Sequence, residues 1–301
     1  VPADGATTGH GIDPASPNMA ASLLRQAGVH PKKRFGQNFL CDGNVLARIA
    51  DAAGIAPTDG ALEIGPGLGA LTLRLADRAR HVTAVEIDAE LLPALLKVVA
   101  GRDNITVVHA DFLRLPMEAL LSDAFGAEPG VVVANIPYNI TAPIVERLIE
   151  HKARIRSVTL LVQKEVADRM AAAAGAEAYG SFSIFCQFHA RVTVCGAVSR
   201  RLFMPVPDVE SSIVRLDMVA GGTEAVCDAA LMEAVVRNAF GQRRKNLRNA
   251  LNNGGLLPSR EALADAAEAA GIDLMRRGET LSVREFAALT DAIAAARAAP
   301  G

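Results

Sequence analysis

The sequence predicts an α/β protein: a doubly wound, mostly parallel sheet with an antiparallel final strand, followed by a small all-α domain. Three observations carry that reading. Between residues 60 and 174, short apolar runs alternate with helical segments, the signature of βαβ units with right-handed crossovers. A glycine-rich string, Gly65-Pro66-Gly67-Leu68-Gly69, separates the first apolar run from the next helix. Beyond Gly221-Gly222 every periodic segment is helical.

The N-terminal stretch Val1–Asn18 is rich in Gly, Pro, Ala and Thr and has no apolar core, so it is not read as a signal peptide. Residues 1–18 are expected to be disordered. Helices are expected over 19–27 and 42–53, with Asp42 as a cap and Gly54 as a stop. Strands are expected at 61–64, 82–86, 105–109, 131–135 and 157–163, and helices at 70–80, 89–99, 144–151 and 164–174. Residues 182–189 and 192–195 read as two neighbouring strands, and 211–218 as a further one that completes the sheet. The tail reads as helices over 228–240, 244–251, 260–270 and 283–298, with Ser282 and Glu285 spaced as a capping box. This gives two domains, residues 19–220 and 221–301.

Half of the 301 residues are hydrophobic and 21% are charged, as in globular proteins. The net charge of −2 excludes a uniformly basic nucleic-acid coat, so any phosphate-binding charge must be local. The four cysteines are scattered, without C-x-x-C or zinc-finger spacing. They fit a reducing cytoplasmic setting, and no metal site is expected. No apolar run reaches the ~18 residues of a membrane span. Nothing calls for an oligomer, and a monomer is the default.

A glycine turn between strand and helix lets a backbone approach a ligand closely. Glu86 follows Gly65 by 21 residues at the end of the next strand, where an acid accepts from ribose hydroxyls. The pair suits an adenosine-containing cofactor, and NAD and S-adenosylmethionine both fit. Asp111, after the third strand, gains weight only from its place in this series.

The most specific string is Asn135-Ile136-Pro137-Tyr138, after the fourth strand. A side-chain amide, a proline-stiffened turn and an exposed aromatic suit an extruded planar base. The exocyclic amine of adenine is a poor nucleophile because its lone pair is delocalised into the ring. The Asn135 carbonyl and a main-chain carbonyl near Ile136 can take its two N–H bonds and favour a pyramidal nitrogen. Tyr138 would stack on the base, worth roughly 1–3 kcal/mol. An NAD oxidoreductase leaves this string unexplained.

At these motifs the chain resembles the ribosomal RNA adenine dimethyltransferases of the KsgA/RsmA type, within the Rossmann-like class I S-adenosylmethionine-dependent methyltransferases. The resemblance spans residues 32–252. It rests on Phe35–Leu40, Glu63–Gly69, Asn135–Ile140, Gln163–Arg169, Tyr179-Gly180, Phe203–Ser211 and Ala239–Asn249. It departs at Ile136 (commonly Leu), at Gly241 (often Asn) and at Phe182 and Ile184.

The resemblance implies a fold, a cofactor and a substrate. S-adenosyl-L-methionine would contact Gln37, Asn38 and Leu40 in the first motif, and Glu63, Gly65 and Gly67 in the glycine turn. Further along it would contact Glu86 and Ile87, Asp111 and Phe112, and Asn135. Asn135, Pro137 and Tyr138 would shape the base pocket, with Phe203 near the other face. The implied substrate is the 16S rRNA of an immature 30S subunit. The acid-free run Arg237, Arg243, Arg244, Lys245 and Arg248, the cluster Lys32, Lys33 and Arg34, and Arg201 are candidate phosphate contacts. Arg147, Lys152, Arg154 and Arg156 form a further cationic group, diluted by Glu146 and Glu150. The nearest rivals are a 23S rRNA adenine methyltransferase of the antibiotic-resistance type and a mainly non-catalytic small-subunit assembly factor.

Overall fold

Ser16 accepts a hydrogen bond from Met19 N–H, and Pro17 occupies the first helical position, so the first helix begins earlier than its apolar periodicity suggests. A computed structural model describes residues 12–32, 36–136, 140–242 and 245–298. Within it α1 spans Pro17–Ala27 and ends at Gly28, whose φ of 67° lies in the left-handed region. Residues 12–18, expected to be disordered, are instead placed: the Asp13 carboxylate pairs with the Arg74 guanidinium and accepts from Ala15 N–H at 3.0 Å. No composition signal reports such a long-range tie.

Elements then follow in the anticipated rhythm. They are β1 (Phe39–Leu40), α2 (Gly43–Ala53), β2 (Gly60–Ile64), α3 (Ala70–Ala76), β3 (His81–Glu86), α4 (Leu92–Val99) and β4 (Ile105–His109). Next come α5 (Met117–Phe125), β5 (Gly130–Asn135), α6 (Thr141–Glu150), β6 (Ile155–Gln163) and α7 (Lys164–Ala171). The second half holds α8 (Ser181–His189), β7 (Ala190–Val198), β8 (Phe203–Met204), β9 (Ser211–Met218), α9 (Ala229–Gly241), α10 (Leu247–Asn252), α11 (Arg260–Ala269) and α12 (Val283–Ala298). Asp42 caps α2 as expected, accepting from Val45 N–H at 2.8 Å.

Four elements depart from expectation, the two-residue strands β1 and β8 among them. Residues 182–189 form helix α8, not a strand. An apolar run of this length is ambiguous between the two, and Ser183 decides locally: its hydroxyl accepts from Gly180 N–H at 3.0 Å and donates to the Arg169 carbonyl at 2.5 Å. Helix α5 was not anticipated at all.

The main sheet has seven strands in the order β4-β3-β2-β5-β6-β9-β7. The pairs β4–β3, β3–β2, β2–β5 and β5–β6 are parallel. Val219 N–H bonds the His189 carbonyl at the start of β7, while Cys195 near its end lies beside Arg215. Hence β7 and β9 run antiparallel, as expected of the closing strands. In register, Ile64 faces Val85 on one side and Ala134 on the other, and Glu86 faces His109. The carboxyl ends of β2, β3, β4 and β5 therefore lie along one edge. The strand order reverses between β2 and β5, the place where open α/β sheets bind ligands.

The chain divides into two compact units. The first comprises Val1–Gln163 with Gly196–Ile213, and the second Lys164–Cys195 with Val214–Gly301. This differs from a single cut near Ala220, because each unit is built from two chain segments. In the first unit, α2 and α3 bury Leu46, Ile49, Leu71 and Leu75 with Val131 and Val133 of β5. Leu23 and Leu24 of α1 join Leu91, Leu95 and Val98 in a separate apolar cluster. In the second unit, Ile184 and Phe188 of α8 share a core with Val235 of α9, Leu263 of α11 and Phe286 of α12. Tyr179 donates its hydroxyl proton to the Leu281 carbonyl at 2.8 Å inside that core. The Ser282–Glu285 capping box forms as expected, with reciprocal bonds of 3.2 and 2.8 Å. No helix among the described residues is long and apolar enough to cross a membrane.

Candidate active site

A cleft of about 100 Å³ opens at the carboxyl ends of β2, β3 and β5. The glycine turn forms its floor. Gly65, Gly67 and Gly69 have φ values of 73°, 57° and 86°, angles that side-chain-bearing residues avoid. A Cβ on Gly67 would lie 3.1 Å from the Phe39 ring, and one on Gly69 would lie 2.9 Å from Leu95 Cδ1. The middle glycine thus keeps space open against the first motif, and the third lets α3 start close to α4.

Glu86 ends β3 and is only 4% exposed. One carboxylate oxygen accepts from Gly67 N–H at 3.0 Å, and the other accepts from Asp88 N–H at 2.8 Å. Burial pushes its pKa up, against the pull of those amide bonds. Glu63, on β2, is 1% exposed, and its Oε2 has no hydrogen-bond partner among the described residues. Burial raises its carboxyl to about 8, with the neighbouring Glu86 adding to the effect. A buried acid with an unpaired oxygen at the edge of a cleft is poised for a donor or a cation supplied by a ligand.

The first motif is held in place by an acid that no sequence motif singled out. Asp88 accepts from Lys32 Nζ at 2.8 Å, from Gln37 Nε2 at 2.7 Å and from Glu90 N–H at 3.2 Å. Burial opposes its ionisation, but these donors hold its carboxyl below the usual range. Gln37 in turn accepts from Lys32 N–H at 2.8 Å. Lys32, expected to face RNA, is thereby an internal tie, paired also with Glu90 at 2.9 Å. The one signal along the chain was position: Asp88 follows Glu86 by two residues.

Gln37, Asn38, Leu40, Glu63, Gly65, Gly67, Glu86, Ile87 and Asn135 all line the cleft. Ile87 is 44% exposed, an apolar surface beside Glu86. Three expected residues lie elsewhere. Asp111 caps a 3-10 turn, accepting from Leu113 N–H at 3.0 Å, and Phe112 is buried behind it; neither lines the cleft. Phe203 pairs with Leu40 in the β1–β8 ribbon and is buried in the apolar cluster that also holds Leu40, Leu46 and Ile49. Pro137 and Tyr138 lie outside the described residues, as do Lys33, Arg34, Arg243 and Arg244. Sequence reasoning missed the apolar wall of Pro14, Leu46, Ile49, Leu71 and Leu91, which looks like ordinary core along the chain.

Residues 29–291 match the family model described as ribosomal RNA adenine dimethylase. The chain belongs to that family. It is 43% identical over 286 residues to ribosomal RNA small subunit methyltransferase A of Geobacillus thermodenitrificans, covering 93% of this chain and 97% of the relative. It is 44% identical over 284 residues to the protein of the same name from Bacillus mycoides, with the same coverage. Among solved structures it is similar to 23S rRNA methyltransferase ErmE, with a TM-score of 0.67 and 32% identity over 85% of this chain and all of that one. It is also similar to a dimethyladenosine transferase from Plasmodium falciparum, with a TM-score of 0.71 and 27% identity over 82% and 94%. The resemblance read from the motifs is borne out, and the mostly parallel sheet is that of a Rossmann-like methyltransferase. As a member of the ribosomal RNA adenine dimethylase family, the chain is a methyltransferase.

The cationic residues sort into two groups. Arg147, Arg154 and Arg156 are used internally: the first two donate to the Leu115 and Gly126 carbonyls, and Arg156 grips Asp59 through two bonds of 2.8 and 2.6 Å. Arg201, Arg237, Lys245 and Arg248 are exposed. Backbone bonds from Leu247 to the Arg276 carbonyl and from Arg248 to the Leu274 carbonyl fix the start of α10.

Proposed function

We propose that this protein uses S-adenosyl-L-methionine to dimethylate the exocyclic amine of adenines in 16S rRNA of an immature 30S subunit, acting in the cytoplasm as a monomer during ribosome biogenesis. The carrying observation is the convergence of the glycine turn, Glu86 and Asn135-Ile136 on one cleft at the switch point of the sheet. The cleft suits the cofactor. Gly67 leaves a cradle that a Cβ would fill, and the unpaired Glu63 oxygen can meet a ligand cation or its ordered water. When bound, S-adenosyl-L-methionine supplies an activated methyl group, so no nucleophilic Ser or Cys is needed.

The chain's own residues then position. Glu86 holds ribose hydroxyls, exchanging part of its bonding to Gly67. Ile87 offers an apolar face to the adenine ring. Asn135 accepts a hydrogen bond from the target amine and aims its lone pair, and Tyr138 stacks on the extruded base. Most of the rate gain is alignment for in-line displacement. Arg201, Arg237, Arg243, Arg244, Lys245 and Arg248 would contact phosphates, which fix orientation without reading sequence. The small-subunit substrate is favoured by 43–44% identity over 93% of the chain to small-subunit enzymes, against 32% over 85% for ErmE.

The test is methyl transfer from labelled S-adenosyl-L-methionine to under-methylated 30S particles, with 50S particles and DNA in parallel, followed by nucleoside analysis. Dimethyladenosine from 30S particles alone is expected. Label in 50S particles alone would overturn the substrate. Binding to particles without transfer would move the protein to an assembly role.

A further inference from the structure

We infer that residues Ile12–Ser16 form a strap that closes one wall of the cofactor cleft and sets how long the cofactor stays bound. The inference rests on the cofactor reading above. It begins with Pro14, which is buried and lines the cleft alongside Leu46 and Ile49 of α2 and Ala70 and Leu71 of α3. A proline suits that place: it has no N–H to leave unsatisfied against an apolar wall, and its φ is already fixed.

The strap is tied at both ends. On one side of Pro14, the Asp13 carboxylate pairs with the guanidinium of Arg74, which lies three residues beyond Leu71 on α3, and Asp13 also accepts from Ala15 N–H. On the other side, Ser16 caps α1, and α1 is seated through Leu23 and Leu24 against Leu91 and Leu95. Ile12 packs on that α1–α4 cluster, while Ala15 packs on the α2–α3 cluster. The segment thus spans two apolar clusters with Pro14 facing the cleft between them.

The two ties differ in strength. The α1 seat is apolar and buried. The Asp13–Arg74 pair is partly exposed, 42% and 25% for the two side chains, and such pairs are weak. The strap therefore opens at its Asp13 end and hinges where it joins α1: one surface ion pair breaks and one proline lifts, while α1 stays docked. Asp13 and Pro14 are positioning residues that touch the cleft wall and take no part in methyl transfer.

The experiment uses the full chain, with S-adenosyl-L-methionine and S-adenosyl-L-homocysteine as probes. Dissociation is followed by stopped-flow displacement, and steady-state constants are measured on 30S particles. Asp13→Asn should raise the cofactor dissociation rate and KM about three- to fivefold and Pro14→Gly about five- to twentyfold, each leaving kcat and RNA affinity within twofold. Asp13→Arg should do the same, and adding Arg74→Asp should restore slow dissociation. Melting temperatures identify any variant whose fold is damaged, and the charge-swapped pair supplies a folded reference. Cofactor dissociation within twofold of the parent in folded Asp13→Asn and Pro14→Gly would overturn the strap. Failure of the parent itself to bind either probe would overturn the cofactor reading along with it.

Discussion

Lys32 Nζ sits 2.8 Å from Asp88 Oδ1, and this ion pair docks the first motif onto the end of β3. Gln37 holds the other Asp88 oxygen. Residues flanking the motif are thereby anchored next to Glu86, so the cleft wall is preorganised before any ligand arrives. Asp88→Asn should loosen that wall. Cofactor Kd should rise about tenfold, equivalent to ~1.4 kcal/mol, with a smaller change in kcat. Calorimetric titration with S-adenosyl-L-homocysteine measures it, and an unchanged Kd would show that the wall holds without the tie.

Gly69 and Gly28 separate backbone strain from crowding. Both have positive φ, 86° and 67°, but a Cβ on Gly28 meets nothing within 4 Å, whereas one on Gly69 meets Leu95 at 2.9 Å. Gly28→Ala should cost about 1 kcal/mol of stability from backbone conformation alone. Gly69→Ala should cost roughly 1–3 kcal/mol more, from overpacking against α4. Urea denaturation of the two variants gives the difference directly.

The buried Glu63 makes the stability of the free protein depend on pH between about 4.5 and about 8. Its carboxyl titrates near 8 when folded, against an ordinary value of 4.5. The unfolded chain therefore releases this proton first, and stability falls as pH rises from about 4.5 to about 8, then levels off. Glu63→Gln should flatten that decline and raise the melting temperature at pH 8, while weakening cofactor binding. Thermal melts across pH 5–9 test the first effect, and a parallel titration with cofactor tests the second.

Glu285 acts in the opposite direction. The Arg276 guanidinium at 2.5 Å, with the Ser282 donors, holds its carboxyl down to about 2. The stability it supplies is present above pH ~4.5 and is lost as pH falls toward 2. Glu285→Gln should lower the melting temperature at pH 7, and the gap to the parent should close in acid. A constant gap across that range would mean that packing, not charge, is what Glu285 contributes.

Arg237, Lys245 and Arg248 are exposed around the end of α9 and the start of α10. Replacing each with Ala should weaken binding to 16S rRNA fragments. The slope of log K against log salt should fall by about 1 for every phosphate that is no longer neutralised. Cofactor affinity should not change. An unaltered salt slope in the triple variant would remove these residues from the RNA interface.

Much of this molecule is legible in its sequence because its signals are local. The βαβ rhythm and the caps Asp42 and Ser282 depend on neighbours a few residues away, and their elements appear where expected. The glycine turn and Glu86 were legible for the same reason, as each closes a strand. What stayed hidden is what depends on distance along the chain. Asp13 meets Arg74 across 61 residues and Lys32 meets Asp88 across 56, and neither spacing leaves a pattern. Phe203 illustrates the converse: an aromatic in a proline-rich segment looks available, but its pairing with Leu40 buries it. Asp111 by itself reads more readily as a loop or cap residue than as a ligand, and it does cap a 3-10 turn.

The interleaving of the two units bears on how the chain can be made and cut. The first unit takes back residues 196–213 after the second has begun, and the second is completed only by the segment after residue 213. During synthesis the first unit therefore has all its residues before the helical one does. A fragment started at residue 221 would lack Ile184 and Phe188, which belong to the core of α9–α12. To express the helical part alone, a designer would have to carry residues 164–195 along and join them to residue 214 by a linker, since no single scissors cut releases it whole.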